Sequence, residues 1–362
     1  MEEHDILLAL CETDGIGWET VHHIVNAIDN LQDLLERNIP KARLKEIVRS
    51  EKKAEKIEQF LTREEIAGKL RFYETCNVKI VTWFDPLYPP WLRFIHKPPW
   101  VLYAQGDVEL LQLPSVSIVG TRRPSPYGRE VAEWFGSELA SAGLAVVSGL
   151  ARGIDGAAHI GALRAKGPTI AVLGNGLNVK YPPEHHALQR QIEKNGLVIS
   201  EYVWNTKPGK VTFPWRNRII AGMSRGTVVV EAARESGSLI TARMALEAGR
   251  DVFAIPGPIT SPRSAGVHGL LREGAIPTVS PSEILAQYGV GSQAPAKDQP
   301  AEHLTTEEAD LLAVMGADTV TVDDLLMRTG GSFGQMHTVL LSLLVKNRIR
   351  ALPGSAYIAR LN

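Results

Sequence analysis

The feature that most constrains the fold of this chain is a series of short apolar runs, separated from one another by helical stretches. The runs are VSIVG, LAVVSG, TIAVLG, LVISEY, TVVVEA and DVFAIPG. Strands that are apolar throughout are buried on both faces, and helices between successive strands cover both faces of a parallel sheet. The pattern therefore predicts a doubly wound α/β domain with a parallel sheet over residues 76–288.

Two smaller domains flank this one, and a linker precedes the second. Residues 1–75 have apolar positions at helical spacing and predict a small N-terminal helical domain. Residues 289–303 are rich in Gly, Pro, Ala and Gln and predict a linker. Residues 304–362 predict three helices, at 305–315, 322–329 and 332–346, followed by two short strands. Three helices with a terminal hairpin are typical of a winged helix.

Neither flanking region carries a strong signal for duplex recognition. GIGWETVHHIV in the N-terminal region resembles a helix-hairpin-helix, but its acidic neighbours Asp14 and Glu19 favour a packing or protein-contact role. The third helix of the C-terminal region is mostly neutral, with Lys346, Arg348 and Arg350 at and beyond its end. A recognition helix carries Arg, Lys, Asn or Gln along its exposed face. We expect protein contact or weak backbone contact there.

Composition limits the classes of protein that remain. The net charge is −1 over 362 residues, so any nucleic-acid site must be a local basic patch. Cys11 and Cys76 are the only cysteines and lack metal-ligand spacing, which favours a reducing compartment and predicts neither a disulfide nor a metal site. No apolar stretch approaches the roughly 18 residues of a membrane span, and the acidic N-terminus is unlike a signal peptide. We expect a cytoplasmic protein.

Candidate ligand-binding residues follow the predicted strands, because ligands of open α/β sheets bind beyond the carboxyl ends of the strands. Glycines there allow a phosphate to approach backbone amides, the following helices direct their positive ends to the same place, and arginines supply forked donors. The chemistry is anion recognition, most simply of phosphates. The residues at these strand ends are Gly120, Thr121, Arg122, Ser148, Gly149, Arg152, Gly153, Asp155 and Asn175.

Two further clusters extend this set. FPWRNRIIAG places an aromatic ring and two guanidiniums within one helical turn, and EAARESGSLIT places hydroxyls and amides at a helix start. A purely structural role for these residues remains an alternative. In that interpretation the serines cap helices, Phe213 packs in the core, and Arg218 pairs with Asp155 or Glu231. The residues concerned are Phe213, Arg216, Asn217, Arg218, Glu231, Ser236, Gly237, Ser238 and Thr241.

Catalytic templates fit the chain poorly. No P-loop occurs, and LGNGLNV has Val179 where a dinucleotide-binding fingerprint needs its third glycine. His159, four residues after Asp155, is a candidate general base, although a structural role is the better interpretation. No nucleophile has a convincing base beside it. The sequence therefore predicts a binding protein without catalysis, cofactor or metal.

A resemblance to a known family emerges from the motifs taken together. VSIVGTRRPSPYG, SGLARGIDGAAHIGAL, TIAVLGNGLNVKYPPEH, FPWRNRIIAG, VVVEAARESGSLITARMALEAGRDVFAIPG and SAGVHGLLREGAIP resemble, in order and spacing, the motifs of the DNA-processing protein A family (DprA, also called Smf). The resemblance implies an extended Rossmann-like domain, with a SAM-like N-terminal domain and a winged helix in many members. It also implies sequence-independent binding of single-stranded DNA, homodimer formation, protection of incoming DNA in natural transformation, and loading of the RecA recombinase.

Family positions carry over to residues already singled out. The arginine after the first strand falls on Arg122, the FxxRNR element on residues 213–218, and the SGS element on residues 236–238. The resemblance implies that Arg122, Arg152, Arg216 and Arg218 neutralise phosphates while Phe213 stacks a base, with Asp155, His159 and Glu231 in support.

Two departures from the family pattern stand out. Pro183 occupies the position of a lysine found in some relatives, which leaves Lys180 or Lys210 as a substitute. GVH stands at residues 266–268 where GTN is commoner, so the residues at the rim of the pocket differ from the family pattern.

The alternative class is a nucleotide-binding enzyme of the nucleoside monophosphate phosphoribohydrolase type, whose sheet is distantly similar. The signature of that group, P-G-G-x-G-T-x-x-E, is absent here. Pro256-Gly257, the PG pair at a strand end, leads into PITSPRS instead.

Overall fold

The computed structural model describes residues 1–290, 304–316, 318–346, 348–352 and 354–360. Most of the predicted linker, residues 291–303, lies outside the described residues. The N-terminal region is helical, as the sequence predicts. Its helices are α1 (Glu3–Cys11), α2 (Trp18–Ala27), α3 (Gln32–Leu35), α4 (Lys41–Val48), α5 (Glu51–Phe60) and α6 (Arg63–Thr75).

The central region alternates strands and helices around one sheet. Its strands are β1 (Lys79–Thr82), β2 (Val101–Gly106), β3 (Ser115–Val119), β4 (Ala145–Ser148), β5 (Thr169–Leu173), β6 (Leu197–Ser200), β7 (Gly226–Val229), β8 (Asp251–Ala254) and β9 (Ile276–Pro277). Its helices are α7 (Pro126–Ser141), α8 (Ile154–Arg164), α9 (His186–Asn195), α10 (Thr212–Met223), α11 (Gly237–Glu247), α12 (Ala265–Arg272) and α13 (Pro281–Tyr288). Short 3₁₀ turns occupy Trp91–Phe94, Val108–Gln112 and Pro183–His185.

The nine-stranded sheet has the order β1-β2-β6-β5-β4-β3-β7-β8-β9. Strands β3 to β9 pair in parallel, whereas β1 and β2 form an antiparallel edge beside β6. The chain builds outward from β3 to β6 on one side, and then returns to place β7, β8 and β9 on the other side of β3. The predicted doubly wound, Rossmann-like fold is confirmed, and its topological switch point lies between β3 and β7.

Helices cover both faces of the sheet because the central strands are apolar on both sides. On β3, Val116 and Ile118 pack beneath α7, α8 and α13, while Val119 belongs to the core beneath α10, α11 and α12. Strands β3, β4, β5 and β7 have every residue buried.

In the described part of the chain, no helix combines the length and apolar character needed to cross a bilayer.

The N-terminal helices share a hydrophobic core with one face of the sheet. Trp100 and Tyr103 of the β2 region belong to the same buried cluster as the leucines of α1. The hydroxyl of Tyr103 donates to Glu12 Oε1 at 2.8 Å, and Lys69 pairs with the same carboxylate at 2.8 Å. The helical region is therefore fastened to the edge of the sheet, and the domain boundary drawn between residues 75 and 76 stays a prediction.

The C-terminal region forms the predicted winged helix. Its elements are α14 (Thr306–Met315), β10 (Val320–Thr321), α15 (Val322–Thr329), α16 (Phe333–Val345), β11 (Ile349–Leu352) and β12 (Ala356–Ala359). It has a hydrophobic core of its own, in which Leu325, Leu340 and Leu343 are almost fully buried. Its hairpin contacts α7, where Arg350 pairs with Glu130 at 2.8 Å and with Glu133 at 2.6 Å.

Close packing of α7 on α8 makes a testable demand on Gly161. A Cβ atom at Gly161 would lie 2.1 Å from the carbonyl oxygen of Glu133, so Gly161→Ala must push the two helices apart. We expect the free energy of unfolding to fall by about 2 kcal/mol, a typical cost of overpacking. In α6, where a Cβ on Gly68 meets nothing within 4 Å, the same change should raise it by up to about 1 kcal/mol. Denaturant unfolding of both variants measures the two signs, and equal effects would contradict this packing.

Candidate functional site

A cleft of about 640 Å³ opens at the carboxyl edge of the sheet, at the switch point beside β3. The loop after β3 and the first turns of α8, α10 and α11 line it, so most of the strand-end residues predicted from the sequence meet there. The predicted residues that line the cleft are Gly120, Arg122, Asp155, Lys210, Phe213, Arg216, Asn217, Ser236, Gly237, Ser238 and Thr241.

A narrow extension of about 20 Å³ adjoins the cleft and shares Arg122, Phe213 and Arg216 with it. The predicted residues Gly149, Arg152 and Asn175 line this extension. Two of their side chains are already engaged. Arg152 pairs with Glu184 at 2.6 Å, and the amide of Asn175 donates to the carbonyl of Val179 at 2.7 Å.

An aromatic platform stands beside exposed positive charge in the cleft. The guanidinium of Arg122 lies 5.7 Å from the centre of the Phe213 ring. The centre of the Tyr181 ring lies 5.3 Å from the centre of the Phe213 ring, and the two ring planes are tilted relative to each other. Arg122 and Lys210 are exposed, and neither forms an ion pair with a described carboxylate. Two cations that have no described carboxylate partner therefore line the same cleft as the Phe213 ring.

The N-terminus of α11 contributes backbone donors to the cleft. Ser236 caps the helix, its hydroxyl accepting from the amide of Ser238 at 3.4 Å and lying 2.8 Å from the hydroxyl of Ser238. Gly237 is exposed, and nothing lies within 4 Å of the place a Cβ would occupy. The exposed backbone at Gly237 and the positive end of the helix dipole make this turn a favourable place for a phosphate.

Arg216 ties the floor of the cleft together rather than projecting into it. It is 4% exposed and donates to the carbonyl of Gly149 at 2.8 Å and to that of Val172. Burial lowers its pKa to about 10, and the nearby Asp155 opposes that shift. Asp155 accepts from the amides of Gly149 at 3.1 Å and Ala151 at 3.4 Å, and burial raises its pKa.

Glu231, which follows β7, fixes the loop that carries Arg122. Its carboxylate accepts from the amide of Ser125 at 2.8 Å and from the hydroxyl of Ser125 at 2.6 Å, and Ser125 caps α7. Its carbonyl accepts from the amide of Thr121 at 2.7 Å. One buried residue therefore holds both ends of the segment 121–125 across the switch point.

Gly153 closes the other side of the same loop. Its φ of +82° is rarely open to other residues, and a Cβ there would lie 2.3 Å from the carbonyl oxygen of Thr121. The next amide, that of Ile154, donates to this carbonyl at 3.2 Å. The loop after β4 is thus packed directly against the loop after β3, and Thr121 and Gly153 shape the cleft without lining it.

Ser148 and His159 do not face the cleft, and for His159 this agrees with the structural role that the sequence favours. Ser148 is fully buried and donates to the carbonyl of Ile118 at 2.6 Å, so it joins β4 to β3 instead of facing a ligand. His159 is fully buried, with Nδ1 2.7 Å from the Thr169 hydroxyl, and burial lowers its pKa to about 3. A neutral histidine enclosed in this way has no access to the cleft.

Arg218 also turns away from the cleft. The sequence offered it as a phosphate ligand or as a partner of Asp155 or Glu231, but it is 6% exposed and pairs with Glu201, under the ring of Trp215 at 4.5 Å. One helical turn cannot present both Arg216 and Arg218 to one ligand, because residues two positions apart lie on different faces.

Sequence reasoning missed Tyr181 and Glu201. Tyr181 lines both the cleft and its extension, and the only hint was its place in a Tyr-Pro pair after β5. Glu201 follows β6 at the same edge of the sheet and pairs with Arg218, and its place directly after an apolar strand was a usable signal.

Comparison with known proteins identifies the family to which the chain belongs. The family model described as DNA recombination-mediator protein A matches residues 79–289, and the model of the DprA winged helix domain matches residues 295–355. The chain belongs to the DNA recombination-mediator protein A family. The resemblance to the DprA and Smf proteins inferred from the motifs is thereby confirmed.

Individual relatives cover much of the chain. Protein Smf of Escherichia coli K12 is 40% identical over 302 residues, which are 81% of this chain and 80% of that protein. The DNA processing protein DprA of Streptococcus pneumoniae is 47% identical over 204 residues, which are 56% of this chain and 72% of that protein.

Solved structures of the family have the same fold. The X-ray structure of DprA from Streptococcus pneumoniae superposes with a TM-score of 0.70 at 35% identity, covering 79% of this chain and 99% of that one. DprA from Helicobacter pylori gives a TM-score of 0.53 at 32% identity, covering 58% and 95%. The latter structure is described as revealing a single-stranded DNA binding mode.

The role of Glu231 in holding the Arg122 loop can be tested by Glu231→Gln. The amide keeps the shape but loses one of the two acceptors that Ser125 uses, so we expect the free energy of unfolding to fall by about 1–2 kcal/mol. Hydrogen exchange should quicken in the peptide covering residues 121–128. The matched control is Glu235→Gln on an exposed position, which should change neither quantity. Unchanged exchange in the 121–128 peptide would contradict the role of Glu231.

Proposed function

We propose that this chain binds single-stranded DNA, without preference for base sequence, in the cleft at the switch point. The observation that carries the proposal is the combination of positive charge and an aromatic ring in one cleft: the Arg122 guanidinium lies 5.7 Å from the centre of the Phe213 ring, and neither Arg122 nor Lys210 forms an ion pair with a described carboxylate. Family membership and the DNA-binding mode described for the Helicobacter pylori relative support it.

Each part of the cleft takes a different part of the strand. Arg122, Lys210 and the amides at the start of α11 bind successive phosphates, which every nucleotide carries. Phe213 and Tyr181 stack a base, which works for any base because each has a π-face. In duplex DNA the bases are paired and cannot enter, so the cleft favours the single strand. Arg216 supplies charge from the floor of the cleft but keeps its hydrogen bonds to backbone carbonyls.

In this proposal the chain acts by binding, not by catalysis. The carboxylate among the cleft-lining residues, Asp155, is buried and accepts two backbone N–H groups, which occupies it structurally. A phosphoribohydrolase would release free base from nucleoside monophosphates. Incubation with the four monophosphates, followed by chromatography for free base, tests that alternative directly.

The wider role is proposed from family membership. The chain forms a homodimer in the bacterial cytoplasm, protects single-stranded DNA that enters during natural transformation, and loads RecA on it. A protein that binds phosphates and a few stacked bases leaves much of the strand accessible to a recombinase. Such binding is compatible with transfer of the strand to RecA.

Arg122→Ala tests the phosphate contact. Loss of one charge-assisted hydrogen-bonding group costs about 1.5–3 kcal/mol, which corresponds to a loss of affinity of about 10- to 100-fold for oligothymidylate. Affinity falls as salt rises, and the magnitude of the slope of log affinity against log salt should decrease by about 0.7, the value for one phosphate on a single strand. Fluorescence anisotropy at several salt concentrations measures both. Arg190→Ala, which removes an exposed charge on α9, is the control, and an Arg122 variant indistinguishable from it would refute the contact.

Phe213→Leu tests the stacking contact separately. Leucine keeps an apolar side chain beside Gly174 but removes the ring. The binding free energy should therefore become less favourable by about 1–3 kcal/mol, while the slope of log affinity against log salt stays at the wild-type value. Arg122→Ala should change both affinity and the salt slope, whereas Phe213→Leu should change affinity alone, because stacking releases no counterions. A changed salt slope, or unchanged affinity, would show that no base rests on this ring.

A further inference from the structure

A second groove lies next to the cleft, on the other side of α11. It has a volume of about 450 Å³, runs between α11 and α12, and is lined by three arginines: Arg234, Arg243 and Arg272. Arg234 precedes the cap of α11, Arg243 lies on α11 and Arg272 ends α12. The groove shares no residue with the cleft.

The three arginines are not engaged within the described chain. All three are exposed, and none forms an ion pair with a described carboxylate, although Glu273 also lines the groove. Other surface arginines are paired, as Arg152 is with Glu184. Three like charges around one concavity repel one another, so the groove gains stability when an anion enters it.

The groove and the cleft are neighbours across a single helix turn. Ser238 and Thr241 of α11 face the cleft, whereas Leu239 and Arg243 of the same helix face the groove. A helix with its side chains is about 10–12 Å across, so a strand leaving the cleft over the start of α11 reaches the groove within a few nucleotides. The exposed Gly237 at this crossing leaves the backbone open.

The lining of the groove indicates which part of a strand it takes. No aromatic side chain is among its lining residues, so it offers guanidiniums but no platform for a base. Gly269 on α12 has nothing within 4 Å of a Cβ position, so packing does not require a glycine there and the helix surface stays bare beside the arginines. These features suit a sugar-phosphate chain.

We propose that the groove between α11 and α12 is a second phosphate-binding site, which holds the backbone of the same single strand after it leaves the cleft. The inference rests on the proposed function and extends it. The cleft binds phosphate and base, and the groove binds phosphate alone. Strand length therefore becomes a determinant of affinity, since only a strand long enough to cross α11 contacts both.

The test replaces the three arginines together, as Arg234→Ala, Arg243→Ala and Arg272→Ala, and measures anisotropy with two oligothymidylates. One has about 5 nucleotides and fills the cleft alone; the other has about 25. We expect unchanged affinity for the short strand, at least tenfold weaker binding of the long one, and a salt slope for the long strand that is smaller by about 2. The corresponding triple replacement by lysine should retain most of the long-strand affinity.

The control removes three exposed charges elsewhere, as Lys166→Ala, Arg190→Ala and Lys194→Ala, and should leave both affinities unchanged. Unchanged long-strand binding by the groove variant, or an equal loss with both strands, would overturn the proposal. The proposed function fails separately, if the wild-type chain does not bind the short strand or binds it independently of Arg122.

Discussion

The site depends on one topological constraint, the divergence of the chain on the two sides of β3. Strand β3 is followed by α7 on one face of the sheet, and its neighbour β7 is followed by α11 on the opposite face. The loops after these two strands therefore separate and leave a crevice between them. Helix N-termini and strand-end residues from distant parts of the sequence meet at this crevice because parallel strands all end at the same edge.

The polar residues of this region divide into those that build the cleft and those left for a ligand. Glu231 holds the loop after β3, and Arg216 and Asp155 hold the loop after β4. These groups are buried and engaged, which is what a buried charge requires. Arg122, Lys210 and Gly237 at the start of α11 are exposed. The buried set fixes the backbone of the loop that carries Arg122, so phosphate binding orders the Arg122 side chain without also having to order its loop.

Much of this arrangement follows from the sequence, and the rest could not be predicted from it for an identifiable physical reason. The gathering of Arg122, Phe213 and Ser236 was predictable, because each stands just beyond a strand or at the start of a helix. The burial and the hydrogen-bond partners of Arg216 and Arg218 were not predictable. Both lie in one turn of α10, and their acceptors, the Val172 carbonyl and Glu201, are distant in sequence. Short-range patterns give the edge of the sheet on which a residue lies, but which arginine is buried depends on tertiary partners.

The central claim is that phosphates of an unpaired strand meet Arg122 and the start of α11 while a base rests on Phe213. A crystal structure of the chain with a short oligothymidylate tests it most directly. The account predicts a phosphate within hydrogen-bonding distance of the Arg122 guanidinium and the amides of Gly237 or Ser238, with a thymine stacked on Phe213. An oligonucleotide bound on the winged helix or the N-terminal helices, with the cleft containing only solvent, would contradict it.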